Sequence, residues 1–249
     1  MARGAVRGGP GDGGSPEGFP CPGEPLDSSS ASPQGGGVTS QGTEPAAGHE
    51  EANPAKGAPR PPSRLAQRWA RSLLALFGWT VEADPPPGAK CVIVVYPHTS
   101  NWDFFIGYLA KIASGLPLWW VGKHSIFVWP IAGLLRRMGG IPVNRSETTG
   151  FIDRLVEEFS RRPRMWLVIA PEGTRSRTDH WKSGFYRLAL AAKVPVGLAS
   201  IDYRERRVEL TTYLPMTGNE QVDLDRIRAA YAGKVGKRPG QASDIRFRG

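Results

Sequence analysis

The 249 residues carry a formal net charge of +9, and 40% of them are hydrophobic. Two cysteines are too few for a disulfide-stapled secreted scaffold, and no segment reaches the ~18–20 uninterrupted apolar residues that a membrane-spanning helix requires. The N-terminus lacks the apolar core of a secretory signal peptide, so the sequence predicts a protein of the reducing cytoplasm.

The first 60 residues differ in character from the rest of the chain. They contain 14 Gly and 9 Pro and carry a net charge of −3, a composition that cannot bury enough apolar surface to fold. We therefore predict that residues 1–60 are disordered. The remaining residues have 28 basic and 16 acidic side chains, a net charge of +12. Such a charge favours an anionic partner, which could be nucleic acid, anionic lipid or a phosphate ester.

A predicted amphipathic helix within residues 61–80 opens the ordered part of the chain. Ser63 is a suitable N-cap. The next 16 residues place Leu65, Trp69 and Leu73 on one face and arginines towards the other. Aromatic and basic residues at this spacing suit a helix lying in a membrane interface, and a helix packed on the core of its own domain explains the pattern equally well.

Strands and helices alternate through the remaining sequence. This order predicts a single α/β domain with a mostly parallel central sheet flanked by helices. We expect strands at about 91–96, 117–122, 141–143, 165–170, 194–201 and 207–213, the last at a sheet edge, and helices at about 102–113, 125–138, 151–161, 183–193 and 223–231.

One strand end carries a candidate general base. His98 follows the strand at 91–96, and Asp103 lies in the first turn of the next helix. This spacing lets the carboxylate reach one imidazole nitrogen while the other nitrogen faces a cleft. Taken alone, the pair is better explained as a helix-capping histidine beside a first-turn acid.

Two further stretches follow strands and deliver polar side chains. Gly139 to Arg145 brings Arg145, and Pro171 to Ser176 brings Glu172, Gly173, Thr174 and Arg175. Two arginines near a base suit a phosphate-bearing alcohol, because guanidinium pairs bidentately with phosphate. The arginines could instead be structural ion-pair partners, and Glu172 could hold an arginine and shape its turn.

Competing catalytic motifs are missing from the sequence. There is no His-Glu-x-x-His or paired-cysteine metal set, no Gly-x-Ser-x-Gly elbow and no Walker loop. We therefore expect neither a metal nor a bound cofactor.

Together these stretches resemble the glycerolipid acyltransferase family, typified by 1-acyl-sn-glycerol-3-phosphate acyltransferases. The family's His-x4-Asp block is matched by His98 and Asp103, and its arginine block by Ile141 to Arg145. Its Glu-Gly-Thr-Arg block is matched without change by Glu172 to Arg175, and its Val-Pro-Val strand by Val194 to Val196. The resemblance covers about residues 64–240, with the blocks in the family's order, and implies a glycerol-3-phosphate acyltransferase-like fold.

The resemblance implies a role for each matched residue. His98 would deprotonate the hydroxyl of a lysophosphatidate-type acceptor, which attacks an acyl-CoA or acyl-carrier-protein thioester, while Asp103 orients the imidazole. Arg145 would bind the acceptor's phosphate with help from Arg175, and Glu172, Gly173 and Thr174 would line the acceptor site. Residues 85–240 would form the acyltransferase domain and residues 241–249 a basic C-terminal tail.

The resemblance also implies an enzyme of the cytoplasmic face of a membrane, peripheral or monotopic, in contact with anionic lipids. Another lysolipid acceptor, such as a lyso-ornithine lipid, fits the same residues. A different class, a basic nucleic-acid-binding protein, fits the net charge and the tryptophans. Its basic residues are scattered, however, and no nucleic-acid-binding module is recognisable, so we expect no nucleic-acid partner.

Overall fold

The structure, a computed structural model, describes residues 59–143 and 150–248. The predicted disordered tail, apart from its last two residues, lies outside these ranges, and so does Arg145. The helices are α1 (Arg64–Leu76), α2 (Trp102–Ser114), α3 (Ala132–Arg137), α4 (Phe151–Arg161), α5 (Gly184–Ala192) and α6 (Glu220–Tyr231), with short 3-10 helices at His124–Ile126 and Pro239–Gln241. The strands are β1 (Thr80–Ala83), β2 (Lys90–Tyr96), β3 (Trp119–Lys123), β4 (Gly140–Val143), β5 (Met165–Ile169), β6 (Val196–Asp202) and β7 (Arg207–Leu214).

The seven strands form one sheet in the order β1-β7-β6-β2-β5-β3-β4. Only β6 and β7 pair antiparallel, and every other neighbouring pair is parallel. The prediction of an α/β domain with a mostly parallel sheet is therefore confirmed. The prediction that residues 207–213 form an edge strand is wrong, because β1 pairs with β7 and covers that edge.

Helices cover both faces of the sheet, so the residues of β2, which point alternately to the two sides, are buried on each face. Val92 and Val94 pack with α4, α5 and α6, whereas Cys91 and Ile93 belong to the opposite core. On that opposite side α1 and α2 pack together through Ala70, Leu74 and Ala113. Residues on both faces of β2 are fully buried, which explains its continuous apolar run.

The helix predicted at 125–138 is much shorter in the structure. A 3-10 turn ends at Ile126, and α3 begins only at Ala132. Pro130 accounts for the interruption: it has no backbone N–H, and its ring disfavours a helical conformation at the preceding Trp129.

Helix α1 exposes its apolar face. Ala70 and Leu74 are its buried residues, while the side chains of Trp69, Leu76 and Phe77 are mostly exposed. Of the two alternatives for this helix, packing on the core thus accounts only for Ala70 and Leu74. None of the helices in the described part of the chain is long and apolar enough to cross a membrane.

Candidate active site

The stretches that contain His98 and Glu172 meet at the carboxyl edge of the sheet. They follow β2 and β5, which are neighbouring parallel strands. The backbone N–H of His98 donates a hydrogen bond of 2.7 Å to Oε2 of Glu172, which joins the two turns directly. This edge is where ligands bind in open α/β sheets.

The predicted base and its carboxylate lie side by side. His98 Nδ1 is 3.4 Å from Oδ2 of Asp103. The aspartate side chain is fully buried, whereas the histidine keeps 18% of its side chain exposed. The imidazole therefore has Nδ1 directed at a buried acid, and Nε2 takes no part in that contact.

Asp103 is held in place from several directions. Its Oδ2 accepts hydrogen bonds from the backbone N–H groups of Thr99 and Ser100, at 2.7 and 2.8 Å. Its Oδ1 accepts one from the hydroxyl of Tyr203 at 2.7 Å. Burial alone would raise the pKa of this carboxyl, but the hydrogen bonds from His98, Tyr203 and Ser100 outweigh it and lower the pKa below its ordinary value. Asp103 thus stays ionised and can stabilise a protonated His98.

Glu172 shapes the turn through backbone contacts. Besides the bond from His98, its Oε1 accepts a hydrogen bond of 2.9 Å from the backbone N–H of Ser243. Its side chain is among the largest that are fully buried, and burial raises the pKa of the carboxyl although these hydrogen bonds oppose the shift. In this structure both carboxylate oxygens bind backbone groups, so Glu172 fixes the position of the His98 loop.

The rest of the turn after β5 brings a cation, Arg175, to the cavity that His98 lines. Gly173 has a φ of +66°, and a Cβ there would lie 2.9 Å from Cε of Lys182, so the turn favours glycine. Thr174 accepts a hydrogen bond from the backbone N–H of Ser176 at 3.3 Å. Arg175 is exposed and lines a cavity of about 990 Å³ together with His98.

This cavity extends from the polar edge into apolar surroundings. One wall consists of residues from α2, and another consists of sheet residues. The lining includes Phe104, Gly107, Tyr108 and Ala110 of the helix and Ile93, Val95, Ala199, Ile201 and Leu210 of the sheet. A space of this size beside a base can hold a small-molecule substrate with an apolar chain.

Known proteins match this chain over much of its length. Residues 80–199 match the Acyltransferase family, a span that contains His98, Asp103 and Glu172 to Arg175. The chain is 28% identical over 180 residues to the lyso-ornithine lipid O-acyltransferase of Pseudomonas aeruginosa, with 69% of this chain and 67% of that relative covered. The chain carries an acyltransferase domain. A solved structure, the 1-acyl-sn-glycerophosphate acyltransferase of Thermotoga maritima, aligns with a TM-score of 0.46 and 15% identity over 67% of this chain and 75% of that one.

This domain makes the protein an acyltransferase. Among the described residues, no group of three or more His, Cys, Asp or Glu side chains is placed to hold a metal ion. The acyltransferase also has a second histidine–aspartate pair at the cavity, His180 with Nδ1 2.5 Å from Oδ1 of Asp179. Asp179 is exposed, unlike Asp103, so the two pairs differ in how firmly the carboxylate is held.

The end of the chain contributes to the acyltransferase site, contrary to the predicted basic tail at 241–249. Ser243 is buried where it contacts Glu172, and Phe247 packs in the main core with α5. The backbone N–H of Trp181 donates to the carbonyl of Arg246 at 2.7 Å. The arginines of this segment led to the prediction of a basic tail, whereas Phe247 is a residue whose type indicates burial in the core.

Sequence analysis also missed Tyr203, which lies 100 positions from Asp103 along the chain. Its ring packs edge-on against Trp79 with the centroids 4.9 Å apart, and burial raises the pKa of its hydroxyl. The phenol is therefore neutral and donates to Asp103.

We expect Tyr203→Phe to lower kcat of acyl transfer by several-fold to about tenfold. The variant keeps the packing on Trp79 but removes one hydrogen bond from Asp103. Such a bond to a charged group contributes about 1.5–3 kcal/mol, and only part of it reaches kcat because Thr99 and Ser100 still hold the carboxylate. Steady-state kinetics at several pH values measure the effect. A merely structural role would lower the melting temperature and leave both kcat and its pH profile unchanged, which would contradict the expectation.

Proposed function

We propose that this acyltransferase transfers a fatty acyl group from an acyl thioester, acyl-CoA or acyl-carrier protein, to the free hydroxyl of a lysophosphatidate-type acceptor. The observation that carries the proposal is the pairing of His98 with the buried Asp103 at a cavity that Arg175 also lines. A base, an anion-binding cation and an apolar space are the three things that this substrate requires.

In the proposed reaction, Nε2 of His98 takes the proton of the acceptor hydroxyl as its oxygen attacks the thioester carbonyl carbon. A C–O bond forms, the C–S bond breaks, and the proton on His98 passes to the leaving thiolate. Asp103 stabilises the imidazolium that exists between these steps. The protein forms no covalent bond to the acyl group, because the acceptor supplies its own nucleophile.

Arg145 and Arg175 hold the acceptor's phosphate in this proposal. Arg175 lies three residues after Glu172, whose carboxylate is bonded to the His98 loop, so the distance from cation to base is constrained by that contact. The acyl chains lie against the apolar walls of the cavity. Glu172 acts through the position of His98, and Gly173 and Thr174 form the floor near the acceptor.

A panel of acceptors tests the proposal. Purified full-length protein would receive labelled acyl-CoA or acyl-carrier protein together with lysophosphatidate, lyso-ornithine lipid or lysophosphatidylcholine. We expect the highest kcat/KM with lysophosphatidate. The relative from Pseudomonas aeruginosa is named for a lyso-ornithine lipid, so a preference for that acceptor is the second candidate. Absence of transfer to every lysolipid would refute the proposed function.

Arg175→Ala should raise KM for lysophosphatidate by about tenfold to a hundredfold, because a charge-assisted hydrogen bond contributes roughly 1.5–3 kcal/mol. KM for the acyl donor should change little. Arg177→Ala is the matched control, since Arg177 forms an exposed ion pair with Asp244 at 3.4 Å and does not line the cavity. Equal KM changes for both substrates would argue against phosphate binding by Arg175. The same assay applies to Arg145→Ala.

The proposed location is the cytoplasmic face of a membrane, with peripheral attachment. Support comes from α1, whose large apolar side chains face outwards beside Arg64 and Arg68. An amphipathic helix of this composition lies in the plane of the interface and binds anionic lipids.

A further inference from the structure

Exposed apolar side chains of the described residues are concentrated on three elements. Thirteen large apolar side chains of the described residues are exposed, by 41% to 91%, and twelve of them belong to α1 with its C-cap Phe77, the start of α2 and the segment 126–134. The exception is Val222 of α6. The five in 126–134 are Ile126, Val128, Trp129, Ile131 and Leu134. A patch this concentrated marks an interaction surface, because scattered single residues are what an ordinary surface shows.

Helix α2 contacts both of the other elements, the segment 126–134 through aromatic rings and α1 through a hydrogen bond. Phe105 at the start of α2 contacts Phe104, with the ring centroids 5.9 Å apart. Phe104 contacts Trp120 at 5.0 Å, and Trp120 contacts Phe127 at 5.8 Å. This series of rings leads from α2 into the segment 126–134. On its other side α2 binds α1, where Arg71 donates to the carbonyl of Ala113 at 3.0 Å.

The charged side chains that these three elements expose are basic, since Asp103 of α2 is buried. No Asp or Glu occurs between Arg60 and Glu82, the stretch that contains α1. None occurs between Asp103 and Glu147 either, where Lys123, Arg136 and Arg137 flank the apolar segment. A second copy of the chain would bring like charges together across a two-fold contact. An anionic lipid surface complements both the apolar side chains and the basic ones.

Segment 126–134 also borders the cavity. Ile126 and Ile131 line it, together with Phe105 of α2, and all three residues are also exposed at the surface. The same residues thus form the wall of the cavity and the outer surface next to it. A bilayer in contact with them would lie at an opening of the cavity.

We propose that residues 126–134, which we name the Trp129 segment, are a second membrane-contact element that acts alongside α1. Trp129 is 91% exposed and inserts into the headgroup region, as tryptophan does at membrane interfaces. Arg136 and Arg137 contact anionic headgroups. The part of this inference that concerns acceptor delivery from the bilayer into the cavity rests on the proposed function, while membrane binding itself does not.

Vesicle co-sedimentation of the full-length protein tests the proposal. Trp129→Ser should weaken binding to mixed phosphatidylcholine–phosphatidylglycerol vesicles by about tenfold, because an aromatic side chain that buries 150–250 Å² is lost from the interface. Val222→Ser is the matched control and should bind like the wild type. Trp69→Ser in α1 should weaken binding as well, and the double variant should show the product of the two effects. Unchanged binding by Trp129→Ser would overturn the proposal.

A fluorescent label at position 129 distinguishes insertion into a bilayer from burial by the chain itself or by a second copy. Trp129→Cys would be labelled with an environment-sensitive fluorophore in a Cys21→Ser background, since Cys91 is buried. We expect emission to shift to the blue only when anionic vesicles are added, and less so at high salt. A blue-shifted emission without vesicles would mean that the chain itself or a second copy covers the segment, and would refute membrane insertion.

Activity on a short-chain, monomeric lysophosphatidate keeps the two proposals distinguishable. Trp129→Ser should retain wild-type kcat on this soluble acceptor and lose rate only with vesicle-bound acceptor. If the wild type binds vesicles through the Trp129 segment but acylates no lysolipid, the proposed function fails and the membrane contact stands. Equal rates of wild type and Trp129→Ser on vesicle-bound acceptor would refute the delivery role.

Discussion

Replacing His98 with alanine is expected to lower kcat for acyl transfer by about 10²–10⁴-fold, the usual contribution of a positioned general base. The loss follows because His98 takes the proton of the attacking hydroxyl in the proposed reaction. Folding should be preserved, since alanine keeps the backbone N–H that donates to Glu172. Rates of labelled acyl transfer and the melting temperature of the same preparation measure both parts of the expectation.

His180→Ala is the sharpest control for this experiment. His180 also lines the cavity and also has an aspartate neighbour, but that aspartate is exposed. We expect the His180 variant to lose less than about threefold in kcat, a change below 1 kcal/mol in transition-state stabilisation. If instead His180→Ala removed activity and His98→Ala did not, the general base would be His180. The proposed roles of His98 and Asp103 would then both be refuted.

Sequence alone located the strands that position the site because their signals are local. β2 is an unbroken apolar run, and the helix predicted at 151–161 has the bounds of α4. The turns after β2 and β5 both follow strands of a sheet that the sequence predicts to be mostly parallel, so they share one edge, and the hydrogen bond from His98 to Glu172 shows how close they are. Periodicity and strand polarity are sufficient for this much.

The errors arose where distant parts of the chain decide the outcome. Polar residues 207–213 indicated an edge strand, but β1, a strand of four residues with no clear pattern, pairs outside them. Tyr203 reaches Asp103 across 100 positions, and Ser243 reaches Glu172 across 71. No periodicity encodes such contacts. Pro130, in contrast, was a local signal of a helix break, and the structure shows a complete interruption there.

Asp103→Asn is expected to lower kcat by about 10²-fold or more, the second-largest effect at the site. Asparagine preserves the shape of the side chain and one carbonyl oxygen for the N–H groups of Thr99 and Ser100. It removes the negative charge that stabilises a protonated His98 and that selects the tautomer with Nε2 free. KM for lysophosphatidate should change little, because no part of the substrate contacts Asp103 in the proposed reaction.

Asp202→Asn is the control for Asp103→Asn. It removes a buried carboxylate that is not paired with His98, so it shows the effect of losing a buried acid alone. Asp202 is also buried, and its Oδ1 accepts hydrogen bonds from the backbone N–H groups of Arg204 and Glu205. Its replacement should lower the free energy of unfolding and leave kcat nearly unchanged. Equal kcat losses in the two variants would show that Asp103 acts only through folding.

The dependence of stability on pH gives an independent readout for Asp103. Its pKa in the folded protein is lower than its usual value of about 3.9, so ionisation favours the folded state. This contribution is complete above the unfolded pKa and disappears as the pH falls through the folded pKa. The difference in unfolding free energy between wild type and Asp103→Asn should therefore be largest near neutral pH and shrink below about pH 4. Chemical denaturation across that range measures it, and a difference that grew on acidification would mean that the carboxyl is protonated in the folded protein and cannot stabilise the imidazolium of His98.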